Sequence, residues 1–116
     1  LIVEDEGVVR DLLERILSAE GYAVETLPSG EAALERLQRA LYDLVLLDLH
    51  LPGIDGMQVL SAAPALQTDA QFIVMTAFGS VDTAVEAMKL GAFDYVNKPF
   101  RTEELLLTLE RAVRHK

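Results

Sequence analysis

The sequence predicts an α/β fold: an open, doubly wound, five-stranded parallel sheet with helices on both faces. Three observations carry this. Five short apolar runs alternate with stretches of helical periodicity, the pattern of repeated strand–helix units. Two of those runs, Leu44-Val45-Leu46-Leu47 and Phe72-Ile73-Val74-Met75, are apolar at every position, as strands covered on both sides must be. And 116 residues fit one domain, 1–116, whose folding buries about two thirds of the unfolded chain's surface.

Leu1-Ile2-Val3 is the first strand, and its abrupt start suggests that opening residues of the strand have been clipped. Val9, Leu12, Leu13, Ile16 and Leu17 recur at helical spacing and predict an amphipathic helix with that face inward, stopped at Gly21. Tyr22 to Leu27 alternates like a strand. Pro28-Ser29-Gly30 breaks it before a helix carrying Ala33, Leu34 and Leu37. After the Leu44–Leu47 run, a shorter helix opens past Gly56 with Met57 and Leu60 in the core; Pro64 should kink or end it near Ala63. The Phe72–Met75 run is followed by a helix whose expected inner face is Val81, Ala84, Val85 and Met88, closed by Gly91. Tyr95-Val96 is the last short strand. Thr102 is a candidate cap for the final helix, with Leu105, Leu106, Leu109 and Val113 facing inward.

Composition narrows the function. The 51% apolar content excludes disorder, and no apolar run reaches the roughly 18–20 residues a membrane span needs. No signal-peptide pattern is present, and without cysteine there is neither a disulfide nor a thiolate metal site. A cytoplasmic location is the default expectation. The net charge of −9, from 19 acidic against 10 basic residues, makes this domain a poor partner for nucleic acid or an anionic membrane. Charge excess alone also serves solubility, so the placement of the acids matters more than their number.

In doubly wound sheets, ligands bind beyond the carboxyl ends of the strands. The first run ends in Glu4-Asp5-Glu6, the third in Asp48, the fourth in Thr76-Ala77 and the fifth in Lys98-Pro99. If the first and third strands are neighbours, Glu4, Asp5 and Asp48 share one edge. Two carboxylates about 5 Å apart repel by roughly 3 kcal/mol at an effective dielectric near 20. A cation or raised pKa values must relieve such a group. A hard divalent ion with oxygen ligands fits, and Mg²⁺ suits a site with few carboxylates and a phosphate to complete its shell. Lys98 adds a cation and Thr76 a hydroxyl donor. Together these are the parts that phosphoryl transfer to a carboxylate requires.

The segments Val3-Glu4-Asp5-Glu6, Leu46-Leu47-Asp48-Leu49-His50-Leu51-Pro52-Gly53-Ile54-Asp55-Gly56, Val74-Met75-Thr76-Ala77 and Asp94-Tyr95-Val96-Asn97-Lys98-Pro99-Phe100 resemble the receiver domains of two-component response regulators. They come in the family's order and spacing over essentially the whole chain. Residues 79–93 further resemble receivers of the NtrC-like enhancer-binding activators. The resemblance implies a flavodoxin-like strand order 2-1-3-4-5. It implies a signalling domain, not an enzyme on free substrates, that takes a phosphoryl group on Asp48 from a sensor histidine kinase or phosphotransfer protein. Mg²⁺ would be held by Asp5, by Glu4 directly or through a water, by Asp48 and by the backbone carbonyl of His50. The family often has two Asp at the first positions, so Glu4 is a variant with a longer reach.

By the same resemblance, Thr76 donates its hydroxyl to the phosphoryl group, and Lys98 pairs with Asp48 at rest and with the phosphoryl group afterwards. Tyr95 is the aromatic that turns inward as Thr76 moves; the His50 side chain reads first as a loop residue at the pocket rim, in a position the family uses to tune dephosphorylation and so signal lifetime. The implied output surface is the fourth helix, fifth strand and fifth helix, where Leu107 suggests a homodimer or partner contact. Transcription would be regulated through a domain outside this chain. Each residue has a blander role: Asp48 as a cap, Thr76 as strand filler, Tyr95 as packing, Lys98 as an idle surface charge. Glu6 reads as a helix-start charge, and Lys98-Pro99 is a candidate cis peptide. Two other functions compete. A phosphatase of the haloacid-dehalogenase type wants a second Asp two residues after the nucleophile, where this chain has His50. A pseudo-receiver would have lost an acceptor, metal acid, Thr or Lys, and none is missing.

Overall fold

A computed structural model of the chain describes residues 1–66, 69–77 and 80–115. The elements follow the expected order: β1 (Ile2–Val3), α1 (Gly7–Ala19), β2 (Thr26–Leu27), α2 (Gly30–Leu37), β3 (Leu44–Asp48), α3 (Gly56–Ala62), a 3₁₀ turn (Ala63–Ala65), β4 (Gln71–Ala77), α4 (Val81–Lys89), β5 (Asp94–Lys98) and α5 (Thr102–Arg114). The strands form one parallel sheet in the order β2-β1-β3-β4-β5. β1 and β3 are therefore neighbours, with Val3 opposite Leu47.

Period-two alternation distributes the central strands between two cores. Val45 and Leu47 of β3, with Phe72 and Val74 of β4, face the side that holds Ala33 and Leu37 of α2, Val59 and Leu60 of α3, and Ala87 of α4. Leu46, Ile73 and Met75 face the opposite layer, built by Leu13 and Leu17 of α1 and Leu105, Leu109 and Ala112 of α5. Burial on both faces is why these two runs carry no polar residue until their carboxyl ends.

Local chemistry sets the helix ends. Ser29 caps α2, accepting from the Ala32 N–H at 3.2 Å. Asp55 and Gln58 form a reciprocal capping box on α3. Gly21, past the end of α1, takes φ +91°, a left-handed conformation that favours glycine. α3 ends at Ala62 and passes into the 3₁₀ turn containing Pro64, as expected from the missing N–H of proline. The Lys98-Pro99 peptide is cis.

Several expectations need correction. β2 is only Thr26–Leu27, because its one neighbour, β1, contributes Ile2 and Val3 to the pairing. Thr102 is the first helical residue of α5, Arg101 precedes it as N-cap, and no side chain caps that end. Leu12 and Val113 lie outside the core. The largest change is on α4: Ala84 and Ala87 face inward, whereas Val81 (67% exposed), Val85 (47%) and Met88 (41%) face outward. Small residues let α4 sit close to the sheet, and its bulky stripe is left uncovered. Gly79, the start of the segment with the subclass resemblance, lies outside the described residues.

Candidate functional site

The sheet brings four strand ends together. Glu4 follows β1, Asp48 ends β3, Thr76 lies near the end of β4 and Lys98 ends β5. Thr76 is paired with Asn97, one step before Lys98, and Asp48 with Met75, one step before Thr76. Residues far apart in sequence thus share one edge because parallel strands all point the same way.

Carboxylate oxygens of Glu4, Asp5 and Asp48 lie within 4.8 Å of one another. Glu4 and Asp48 are buried, and Asp5 is exposed. The Lys98 Nζ donates to Glu4 Oε1 and, at 3.0 Å, to Asp48 Oδ2. The other oxygen of Asp48 accepts from the His50 N–H at 2.9 Å, and the other oxygen of Glu4 accepts from the Glu6 N–H at 3.4 Å. Burial pushes the Glu4 carboxyl up to about 7, the neighbouring Asp48 adds to this, and Lys98 opposes it. Burial works against the Lys98 ammonium, but its bonds to Glu4 and Asp48 outweigh that and leave its pKa raised.

Thr76 is fully buried, and its Oγ1 has no hydrogen-bond partner among the described residues. A buried hydroxyl without a partner is unusual, and here it belongs to the residue after Met75, the partner of Asp48 in the sheet. An all-oxygen set of three carboxylates fits a hard divalent cation, and an unmatched hydroxyl beside a lysine fits an anionic oxygen. The His50 side chain is exposed, and its backbone belongs to the loop just after Asp48. Tyr95 is 42% exposed on β5.

Arg10 belongs to the site's surroundings, although neither apolar periodicity nor a strand end marks it in the sequence. Its Nη1 donates to the backbone carbonyl of Glu4 at 2.8 Å and to that of Asp5 at 3.4 Å. The guanidinium folds back from α1 onto the turn that bears two of the acids. One basic residue about a helical turn after an acidic run was the available signal.

An acid pocket with a lysine and a threonine, at the carboxyl edge of a 2-1-3-4-5 parallel sheet, defines a receiver-type domain. The receiver domain of NtrX from Brucella abortus superposes with a TM-score of 0.93, at 33% identity over 99% of this chain and 98% of that one. A model of the response regulator receiver domain matches residues 1–110, and the chain belongs to that family. Among curated proteins it is 40% identical over 115 residues to the transcriptional regulatory protein ZraR of Escherichia coli, covering 99% of this chain and 26% of ZraR. It is 40% identical to the regulatory protein AtoC of the same organism, covering 97% of this chain and 24% of AtoC. These are NtrC-like response regulators, the subclass that residues 79–93 resemble. The chain spans about a quarter of their length. Among the described residues, no helix is long and apolar enough to cross a membrane.

Proposed function

We propose that residues 1–116 form one receiver domain whose Asp48 accepts a phosphoryl group from a phosphohistidine of a sensor kinase or phosphotransfer protein. The observation that carries this is the resting arrangement at the strand ends: one ammonium bridges Glu4 and Asp48, while the Thr76 hydroxyl at the same edge has no partner among the described residues. In the transfer, an Asp48 oxygen bonds to phosphorus, the P–N bond breaks, and the electron pair stays on the imidazole nitrogen. Asp5, Glu4, Asp48 and the His50 carbonyl would hold Mg²⁺, which supplies charge neutralisation for the phosphoryl oxygens. Lys98 shifts its ammonium from Asp48 to the new phosphoryl group, and Thr76 donates its hydroxyl there. Nothing in this scheme needs a free substrate, so the domain assists its own phosphorylation and dephosphorylation without being an enzyme in the usual sense.

The added charge of about −1.5 to −2 shifts the chain toward the arrangement that binds it better. Tyr95 then turns inward, and the face built by α4, β5 and α5 changes shape. That face already exposes Val81, Val85, Met88 and Leu107, which supports a homodimer or partner contact there. An output domain outside this chain would regulate transcription, in the cytoplasm, with no direct role for this acidic domain in binding nucleic acid or membrane.

Incubation with acetyl phosphate and Mg²⁺ tests the reading. Intact-mass analysis should show one added phosphoryl group on the wild type and none on Asp48→Asn. A wild type that neither gains mass nor responds to beryllofluoride with Mg²⁺ would reduce the domain to a phosphate-blind interaction module.

A further inference from the structure

The loop between β3 and α3 carries the His50 carbonyl, and two close backbone approaches hold it. At one end is Gly56, the first residue of α3. A Cβ there would fall against the Asp48 carbonyl and the Leu49 Cα, inside any real contact distance. The Gly56 N–H closes the loop onto the Leu49 carbonyl at 3.1 Å. The second approach is made by Gly30, the first residue of α2 and buried. A Cβ on Gly30 would collide with the backbone carbonyl of Ile54 and stand 3.0 Å from Val59 Cγ2. Next to it, the Glu31 carboxylate lies beside Gly53 in the same loop.

Gly30 does not need glycine for its backbone angles, because its φ is not positive. As an early helical position it would gain helix propensity from alanine. Contact with the loop is what opposes any side chain there. Ile54 is one residue before the α3 cap and four after His50, and Leu51 between them is buried in the core shared with α2 and α3. A backbone displaced at Ile54 therefore has little slack to absorb before it reaches His50, whose N–H also holds Asp48 Oδ1.

We propose that Gly30 is a positioning residue: its bare backbone lets the first turn of α2 seat against Ile54, which fixes the loop that presents the His50 carbonyl and orients Asp48. The inference rests on the reading of that loop as part of a cation and phosphoryl site. It adds α2, which contributes no side chain to the site, as the wall that sets the loop's position.

The test compares wild type, Gly30→Ala and Glu35→Gly. Glu35 is exposed on the same helix, and glycine there weakens α2 without approaching the loop. Gly30→Ala should bind Mg²⁺ about tenfold or more weakly, as when a residue supporting a metal ligand is lost, and its aspartyl phosphate should decay at a changed rate. Glu35→Gly should stay within about twofold of wild type. Mg²⁺ affinity in Gly30→Ala equal to wild type would overturn the proposal. An amide NMR titration of the wild type with Mg²⁺ gives a second readout that needs no variant. The Gly30 and Glu31 amides should follow the same curve as His50, and His50 shifts that leave Gly30 unmoved would also overturn it. Metal-free spectra separate this inference from the functional reading. If Gly30→Ala displaces the His50 and Asp48 amides while the wild type ignores Mg²⁺, the positioning stands and the phosphoryl site falls.

Discussion

Opposite edges of the same sheet each carry a carboxylate–cation cluster, and the two are resolved in opposite ways. At the amino edge, Glu25 accepts from Arg36 Nε at 2.6 Å, from Arg36 Nη2 at 3.2 Å and from the Tyr42 hydroxyl at 2.6 Å. Those bonds hold its carboxyl down at about 2. At the carboxyl edge, Glu4 is buried and pushed up to about 7, although Lys98 touches it. One acid meets a full complement of donors in partial solvent; the other shares one ammonium with Asp48, with Asp5 close by. The difference teaches how placement decides a carboxylate's charge: Glu25 meets its donors outside the core, whereas Glu4 is enclosed with a second acid that competes for the same ammonium.

The sharpest way to break this contrast is a pH series on protein freed of metal by a chelator. Between pH 4.5, the ordinary glutamate value, and about 7, folded Glu4 holds a proton that the unfolded chain has released. Stability should therefore fall as pH rises through that window, by on the order of 2–3 kcal/mol. Urea melts at pH 5 and pH 8 read this directly, and Glu4→Gln should flatten the difference. Equal stability of the wild type at both values would erase the contrast.

A smaller effect is expected from Asp48→Asn at pH 8 without metal. Removing one of the crowded charges relieves repulsion, offset in part by a weaker bond to Lys98. The net gain is about 1–2 kcal/mol, seen as a melting temperature several degrees higher. A variant less stable than wild type would mean that the Lys98 bridge outweighs the crowding.

The smallest effect belongs to the satisfied cluster. Glu25→Gln should cost about 0.5–1 kcal/mol at neutral pH, since the pair with Arg36 is partly exposed and screened by water. Because the folded carboxyl is depressed, this contribution is present above pH 4.5 and lost as pH falls toward about 2. Thermal melts of the variant and wild type should converge across that acid range and be unaffected by Mg²⁺ throughout.

Much of the site was legible because it obeys one rule: in a parallel sheet, whatever follows each apolar run ends at the same edge. That rule alone brings Glu4, Asp5, Asp48, Thr76 and Lys98 to one edge, and all five lie there. Periodicity was a poorer guide to helix faces. It shows that α4 is two-sided but not which side faces in, and the closeness of the helix to the sheet chose Ala84 and Ala87 over Val81, Val85 and Met88. Alternation likewise ran from Tyr22, yet pairing with a two-residue neighbour limited β2 to Thr26 and Leu27. The Arg10 contact and the seating of Gly30 on Ile54 depend on three-dimensional approach, which no spacing along the chain encodes.

Thr76 Oγ1 is buried with no hydrogen-bond partner among the described residues. An enclosed donor or acceptor left unmatched costs about 1–3 kcal/mol. An oxygen that reaches Thr76 Oγ1 in this buried place would recover up to that amount, a factor of roughly five to 150 in an equilibrium constant. At the end of β4, a single contact made to this buried hydroxyl thus carries more free energy than the same contact would in solvent.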